Sequence, residues 1–393
     1  MGERALRAEF HRDPIRFLDQ RFPPAGDSMW LPQRQLWLAE PSAAKSVLTN
    51  ADGLYQEHSD FFHTRFGGFG PRPVQLAIGR GGRSLLTTYL EAHAAALPER
   101  IERELAPRSE WPDAGNWLIY RHLADVLLAP SSPEPLRRLA DEIVERSVLA
   151  GARERGSRLS RAWLRFRVAR DLSAAVDQRR AEGPREPADL FDVVALAGGP
   201  EARSDELAEV FLSFLFAIAG SVGFVLGWSL YLLGTHPDAD PEVEPAWVAR
   251  EAMRLWPVAW VLSRQPIQEH EVAGVAVTPK DEVVVCPYLV HRHPEHWEEP
   301  RAFRPERWDG LKDQQAFMPF GRGPHTCVAG ALSTQLVAEV LGLLRDRFST
   351  RISIHDSRPQ VGPALAPPRF TLALEPRSAT NGQAPKKGGE APW

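Results

Sequence analysis

The sequence predicts a mainly helical chain with small β-sheets, an α+β fold, on three observations. Residues 210–233 carry no charge, as expected of a helix buried on all sides. Leu332, Leu336, Val340 and Leu344 recur every four residues, the stripe of a long helix facing a core. Alternating segments at residues 272–277 and 282–285, separated by Pro279-Lys280-Asp281, read as strands around a turn.

In chain order, residues 29–38 (MWLPQRQLWL) offer two strand-like runs around a Pro-containing turn, and Pro41-Ser42-Ala43 opens a helix through Leu48. Residues 84–149 are mostly helical, with Leu85, Leu86, Tyr89 and Leu90 at helical spacing and breaks at Pro130 and Pro133; helix then continues to Val176. Residues 178–203, rich in charge, Gly and Pro around a short apolar piece at 190–196, are expected to form a mobile connection. Ser204-Asp205 is the expected cap of the central helix. Pro237, Pro241 and Pro245 separate it from a helix near 246–255. Residues 287–324 should be irregular but ordered coil, and the last long helix should span 330–347. The polar, Gly-rich residues 377–393 are expected to be disordered.

The 393 residues allow about two or three domains on length alone. With 43% hydrophobic and 25% charged residues, a net charge of −4 and no basic tract, a nucleic-acid-binding surface is not expected. Met1-Gly2-Glu3-Arg4 places charge where a secretory signal needs an apolar stretch, so export is not expected. Cys286 and Cys327, the only cysteines, are too few for a disulfide framework and fit a reducing cytoplasm. The charge-free run is long enough for a membrane span and holds Gly223 and Gly227 as a G-x-x-x-G pair. It lies mid-chain, lacks flanking Lys/Arg asymmetry and contains Ser213, Gly220, Ser221 and Ser229, so it reads as a core helix with no membrane partner.

The chemistry centres on Phe320-Gly321-Arg322-Gly323-Pro324-His325-Thr326-Cys327, which puts a cysteine at the end of a Gly/Pro-rich loop just before a helix. Unpaired amides and the helix dipole favour a thiolate there, the form a metal needs. Haem iron is one acceptor of such a ligand. Taken alone, a loop cysteine is more often inert.

Position by position, Phe320, Gly321, Gly323, His325 and Cys327 resemble the haem-binding loop of cytochrome P450 enzymes. Two further segments fit in order. Glu251-Ala252-Met253-Arg254 is a Glu-x-x-Arg whose ends share a helix face, and Phe303-Arg304-Pro305-Glu306-Arg307-Trp308 resembles the family's segment that adds an arginine, here Arg307, to that buried cluster. The resemblance is strongest over residues 204–348. It implies one large P450-like haem domain over residues 1–376, haem b with Cys327 as its metal ligand, and His325 and Arg264 as propionate partners. The basic pair that the family's front haem-facing helix often carries has no clear counterpart, and Arg80, Arg83 and His93 serve as stand-ins for it. Ala219, Gly220 and Gly223 are placed above the haem as catalytic positions, with Val258, Ala259 and Val261 lining the substrate pocket.

Two departures from the family pattern stand out. Where oxygen-activating relatives carry an acid and a threonine that relay protons, this register has Val222 and Gly223, with Ser221 the only nearby hydroxyl and free to face away from the haem. After the ligand, Cys327-Val328-Ala329-Gly330 has its glycine three residues on rather than two. The resemblance implies a soluble, monomeric, cytoplasmic monooxygenase of a hydrophobic small molecule, a natural-product tailoring enzyme fed by a ferredoxin and ferredoxin reductase. Its protons would come from substrate or water. Two alternatives remain: haem chemistry without dioxygen cleavage, such as peroxide-driven oxidation, dehydration or rearrangement, and a non-catalytic helper role, against which the retained Phe320, Gly323 and Cys327 argue.

Overall fold

A computed structural model describes residues 3–149, 158–199, 201–311 and 314–377. Its axis is the charge-free segment, which forms one helix, Ser204–Thr235; 72% of its most apolar stretch is buried inside the protein. Phe211, Leu215, Leu226, Trp228 and Ser229 are all buried, on different sides, while Phe216 is exposed, and Ser229 satisfies its hydroxyl on the Val225 carbonyl at 2.8 Å. The expected cap is not used: Arg203 occupies the capping position without a side-chain bond, Ser204 donates to Asp177, and Asp205 pairs with Arg65 and Arg203. Helices Asp113–Leu127 and Pro245–Leu255 pack against this axis, and Gly330–Arg347, with the span expected, buries Leu336, Val340 and Leu344.

A small sheet sets the C-terminal half of the site. Its strand order is Ser28–Leu31, Gln35–Leu38, Glu282–Val285, Leu262–Arg264, with the central pair parallel and the outer pairs antiparallel. Side chains alternate across it, Leu36, Leu38, Val283 and Val285 entering one core and Trp37 and Val284 another, so both faces are buried. Residues 272–277, expected as one strand, are instead a hairpin, His270–Val272 with Val275–Val277. Ala273 and Gly274 take φ values of 50° and 70°, the left-handed turn that a two-residue hairpin needs.

A second sheet pairs Phe348–Ile354 with Phe370–Pro376 and adds Arg108–Trp111 from a stretch expected to be helical. The expected mobile connection is pinned where it is described. Asp189 caps the buried helix Leu190–Ala195 at 2.7 Å and accepts from Ala129 N–H at 2.8 Å. Asp192 takes Arg179, Arg185 at 2.8 Å and the Ala188 N–H at 3.0 Å. Burial raises the Asp192 carboxyl, but those bonds outweigh it and hold it below the usual range. Of the expected disordered tail only Arg377 is described; residues 378–393 lie outside the described residues.

Candidate functional site

The cysteine loop is shaped by two close approaches of backbone. The Cys327 N–H donates to the Phe320 carbonyl at 3.0 Å, closing the loop just before the last long helix. Gly323 has φ +74°, and a Cβ there would sit 2.7 Å from Thr49 Cα and 2.9 Å from the Leu48 carbonyl oxygen, so only glycine fits. Gly330, the first residue of the helix, lies under the Phe320 ring, which a Cβ would meet at 2.9 Å. That contact explains the glycine three residues past Cys327: Ala329 has room, Gly330 has none.

Cys327 opens onto an internal cavity of about 370 Å³. Its thiol does not follow the expectation of a lowered pKa. Burial pushes it up, opposed only by a hydrogen bond from the Ala329 amide. A bound cation beside such a thiol would favour its thiolate form.

Three elements complete the cavity. The central helix contributes Phe214, Ala217, Ile218, Ser221, Val222 and Val225; helix Arg72–His93 contributes Gly79, Leu86 and Leu90; Val258, Ala259 and Leu262 close the far side. Of the positions expected from sequence, Phe320, Gly321, His325, Cys327, Arg264, Val258 and Ala259 line one cavity. The others do not. Gly323 is against residues 48 and 49, and Val261 packs into the core beneath the four-stranded sheet. Ala219, Gly220 and Gly223 face the opposite way. Gly223 abuts Asn116 of helix Asp113–Leu127, and a Cβ at Gly220 would point to Val148. Ser221, the one hydroxyl near this register, is on the cavity side.

One flank of this apolar cavity is cationic. Arg72 Nη1 lies 3.0 Å from His325 Nδ1 and its Nη2 donates to the Pro324 carbonyl, while His325 Nε2 is 2.8 Å from Glu57. Arg264, 5% exposed, donates to its neighbour Ser263 carbonyl at 2.7 Å and stands 3.9 Å from Asp60. Desolvation lowers the pKa of Arg264, with Asp60 and Glu57 opposing; it also lowers that of His325, where Glu57 opposes and Arg72 and Arg264 add to it. Arg80 and Arg83 also border the cavity, with no ion pair to their guanidinium groups among the described residues. His93 stands apart, stacked on Tyr89 with ring centres 4.0 Å apart. The cations exceed the local carboxylates, so the flank is suited to an anion. Haem b fits this donor set: a sulfur for the iron, apolar walls for the macrocycle, and Arg72, Arg264 and His325 for the propionates.

Behind the loop stands a buried charge cluster. Arg254 grips Glu251 at 2.7 and 2.8 Å, and Glu251 also accepts from Arg307 at 3.1 Å, Trp308 at 3.1 Å and the Arg304 N–H at 3.0 Å. Arg254 spends its remaining donors on the carbonyls of His291, Pro300 and Ala302. Arg72, Ser221 and Asn116 were not legible as site residues. Nothing local in the sequence links Arg72 to His325, 253 positions away.

Residues 246–372 match the family model described as Cytochrome P450. Human Cytochrome P450 3A5 is 35% identical over 156 residues, 33% of this chain and 31% of that protein, and mouse Cytochrome P450 4V2 is 26% identical over 188 residues, 41% and 36%. The matched part thus spans about a third of those relatives' own length. Among solved structures, HmtN, a post-tailoring hydroxylase involved in himastatin biosynthesis, superposes with TM-score 0.71 at 18% identity, covering 92% of this chain and 97% of its own. A mutant of P450 EryK in complex with erythromycin B gives 0.70 at 18%, covering 94% and 98%. A zebra fish cytochrome P450 with abiraterone gives 0.68 at 21%, covering 92% and 97%.

Proposed function

The chain has the cytochrome P450 fold, and from that premise we propose that it is a haem-thiolate monooxygenase acting on a hydrophobic small molecule. One observation carries the reading: the Cys327 sulfur opens onto an apolar cavity whose flank is held cationic by Arg72 and Arg264, with the His325 ring beside Arg72. Haem bound there supplies a thiolate-ligated iron suited to O–O bond cleavage. The loop bond from Cys327 N–H to Phe320 and the packing of Gly323 and Gly330 fix the direction of the sulfur. Val258, Ala259, Val222 and Val225 exclude water and hold an apolar substrate by shape. Electrons would come from a ferredoxin and its reductase in the cytoplasm, and the fold shared with HmtN and EryK makes natural-product tailoring the leading role.

The test is spectral. The reduced protein with carbon monoxide should show the red-shifted Soret band of a thiolate-ligated haem, and Cys327→Ala should abolish it. A colourless protein, or an unchanged band in the variant, overturns the reading.

A second reading has its own support. The cavity face of the central helix presents no acid and one hydroxyl, Ser221. Chemistry that needs no proton relay, such as peroxide-driven oxidation, dehydration or rearrangement, tolerates such a wall. Turnover with peroxide alone, or without any reductant, favours it; strict dependence on a redox partner and NAD(P)H eliminates it.

A further inference from the structure

The central helix departs from α geometry over one segment, Ala217–Val222, a π-type turn wider than an α turn. Such turns leave backbone carbonyls loosely matched to their own helix. Here a side chain from another helix meets them. Asn116, fully buried, donates its Nδ2 to the carbonyls of Ala219 at 2.6 Å and Gly220 at 3.2 Å. One turn on, a Cβ at Gly223 would lie 2.5 Å from Asn116 Nδ2 and 2.7 Å from its Cα, so the helices touch as closely as backbone allows.

The contact has a consequence on the opposite face. While Asn116 holds Ala219 and Gly220 against helix Asp113–Leu127, Ser221 and Val222 are turned to the cavity. Ser213 and Ser229 of the same helix give their hydroxyls to the carbonyl four residues back, at 3.3 and 2.8 Å. Ser221 makes no such bond among the described residues, so its hydroxyl is free for a polar group in the cavity.

We infer that Asn116 is a positioning residue: by clamping the wide turn it presents the Ser221 hydroxyl to a polar group of whatever molecule occupies the cavity. The clamp stands on the geometry alone, whereas its use in chemistry rests on the haem reading above.

Asn116→Asp keeps the shape and replaces the amide donor. An ionised carboxylate cannot donate to Ala219, while a protonated one can, and burial raises its pKa. Two readouts are taken on the full chain across pH: amide hydrogen exchange of the peptide covering 214–226, and the Soret shift when the haem-loaded protein is titrated with imidazole. Exchange in Asn116→Asp should be about tenfold faster than wild type at the same high pH and return toward it as pH falls. Imidazole affinity should follow the same pH course in that variant, and shift at all pH values in Ser221→Ala, whose exchange stays that of wild type.

Exchange indistinguishable from wild type at every pH overturns the clamp. Faster exchange with imidazole affinity unmoved in both variants overturns the positioning role. Should Asn116→Asp fail to fold, Asn116→Ala is read in the same way at a single pH. A wild-type chain that takes up no haem sinks the haem reading, and exchange then decides the clamp alone.

Discussion

Glu251 and Arg254 face each other one helical turn apart with both side chains fully buried, the guanidinium holding both carboxylate oxygens at 2.7 and 2.8 Å. Removing one partner of such a pair strands a charge in the core. Arg254→Ala also orphans the carbonyls of His291, Pro300 and Ala302, and should cost about 3–5 kcal/mol, read as a lower urea midpoint. A loss under about 1 kcal/mol would mean that the cluster does not hold the fold.

His291 links this cluster to the segment before the cysteine loop. Its Nδ1 lies 3.2 Å from the Arg254 carbonyl oxygen, and its Nε2 accepts the Met318 N–H at 2.9 Å, an arrangement for neutral imidazole. Burial, then the charges of Arg254 and Arg292, push its pKa down to about 3. The folded state therefore binds fewer protons than the unfolded chain, so this contribution is full above the ordinary histidine value of 6.5 and is lost as pH falls toward 3. Buried His122, pushed down to about 4, adds in the same direction. Urea midpoints should fall from pH 7 to pH 5, with a shallower slope in His291→Gln; equal slopes would contradict the assignment.

The loop glycines should differ sharply from their neighbour. Gly323→Ala forces a Cβ onto the backbone at Thr49 in a left-handed conformation, and Gly330→Ala forces one onto the Phe320 ring. Each should lower stability by about 1–3 kcal/mol in thermal unfolding and weaken haem retention. Ala329→Gly, where no such contact exists, should cost under about 1 kcal/mol.

A hydroxyl added to the central helix should act only on the cavity face. Val222→Thr places one in the cavity wall and should raise the fraction of reducing equivalents recovered in product. Gly223→Thr collides with Asn116, including its Cα, and should give little folded protein. Equal expression and equal coupling in both variants would refute the facing assigned to this helix.

The cysteine loop, the last long helix and the Glu-x-x-Arg cluster were legible in the sequence because their information is local. Glycines, an aromatic ring and a cysteine at set spacing specify one loop, and a four-residue stripe specifies one helix face. The central helix shows the limit of that logic. It is apolar on every side, so its sequence carries no amphipathic signal to say which side meets the cavity, and reading Ala219, Gly220 and Gly223 as the cavity wall had no physical check.

Existence and order of the major helices, and the place of Cys327 at the end of a loop before the last long helix, were thus determined by the sequence itself. Tertiary structure alone decided that Ser221 and Val222 face the cavity, that Arg72 stands beside His325, and that strand Arg108–Trp111 joins a sheet with Phe370–Pro376. Each of these depends on which distant backbone can come close. Asn116 meets Gly223 because neither helix carries an atom in the way, a condition set jointly by two segments about a hundred residues apart.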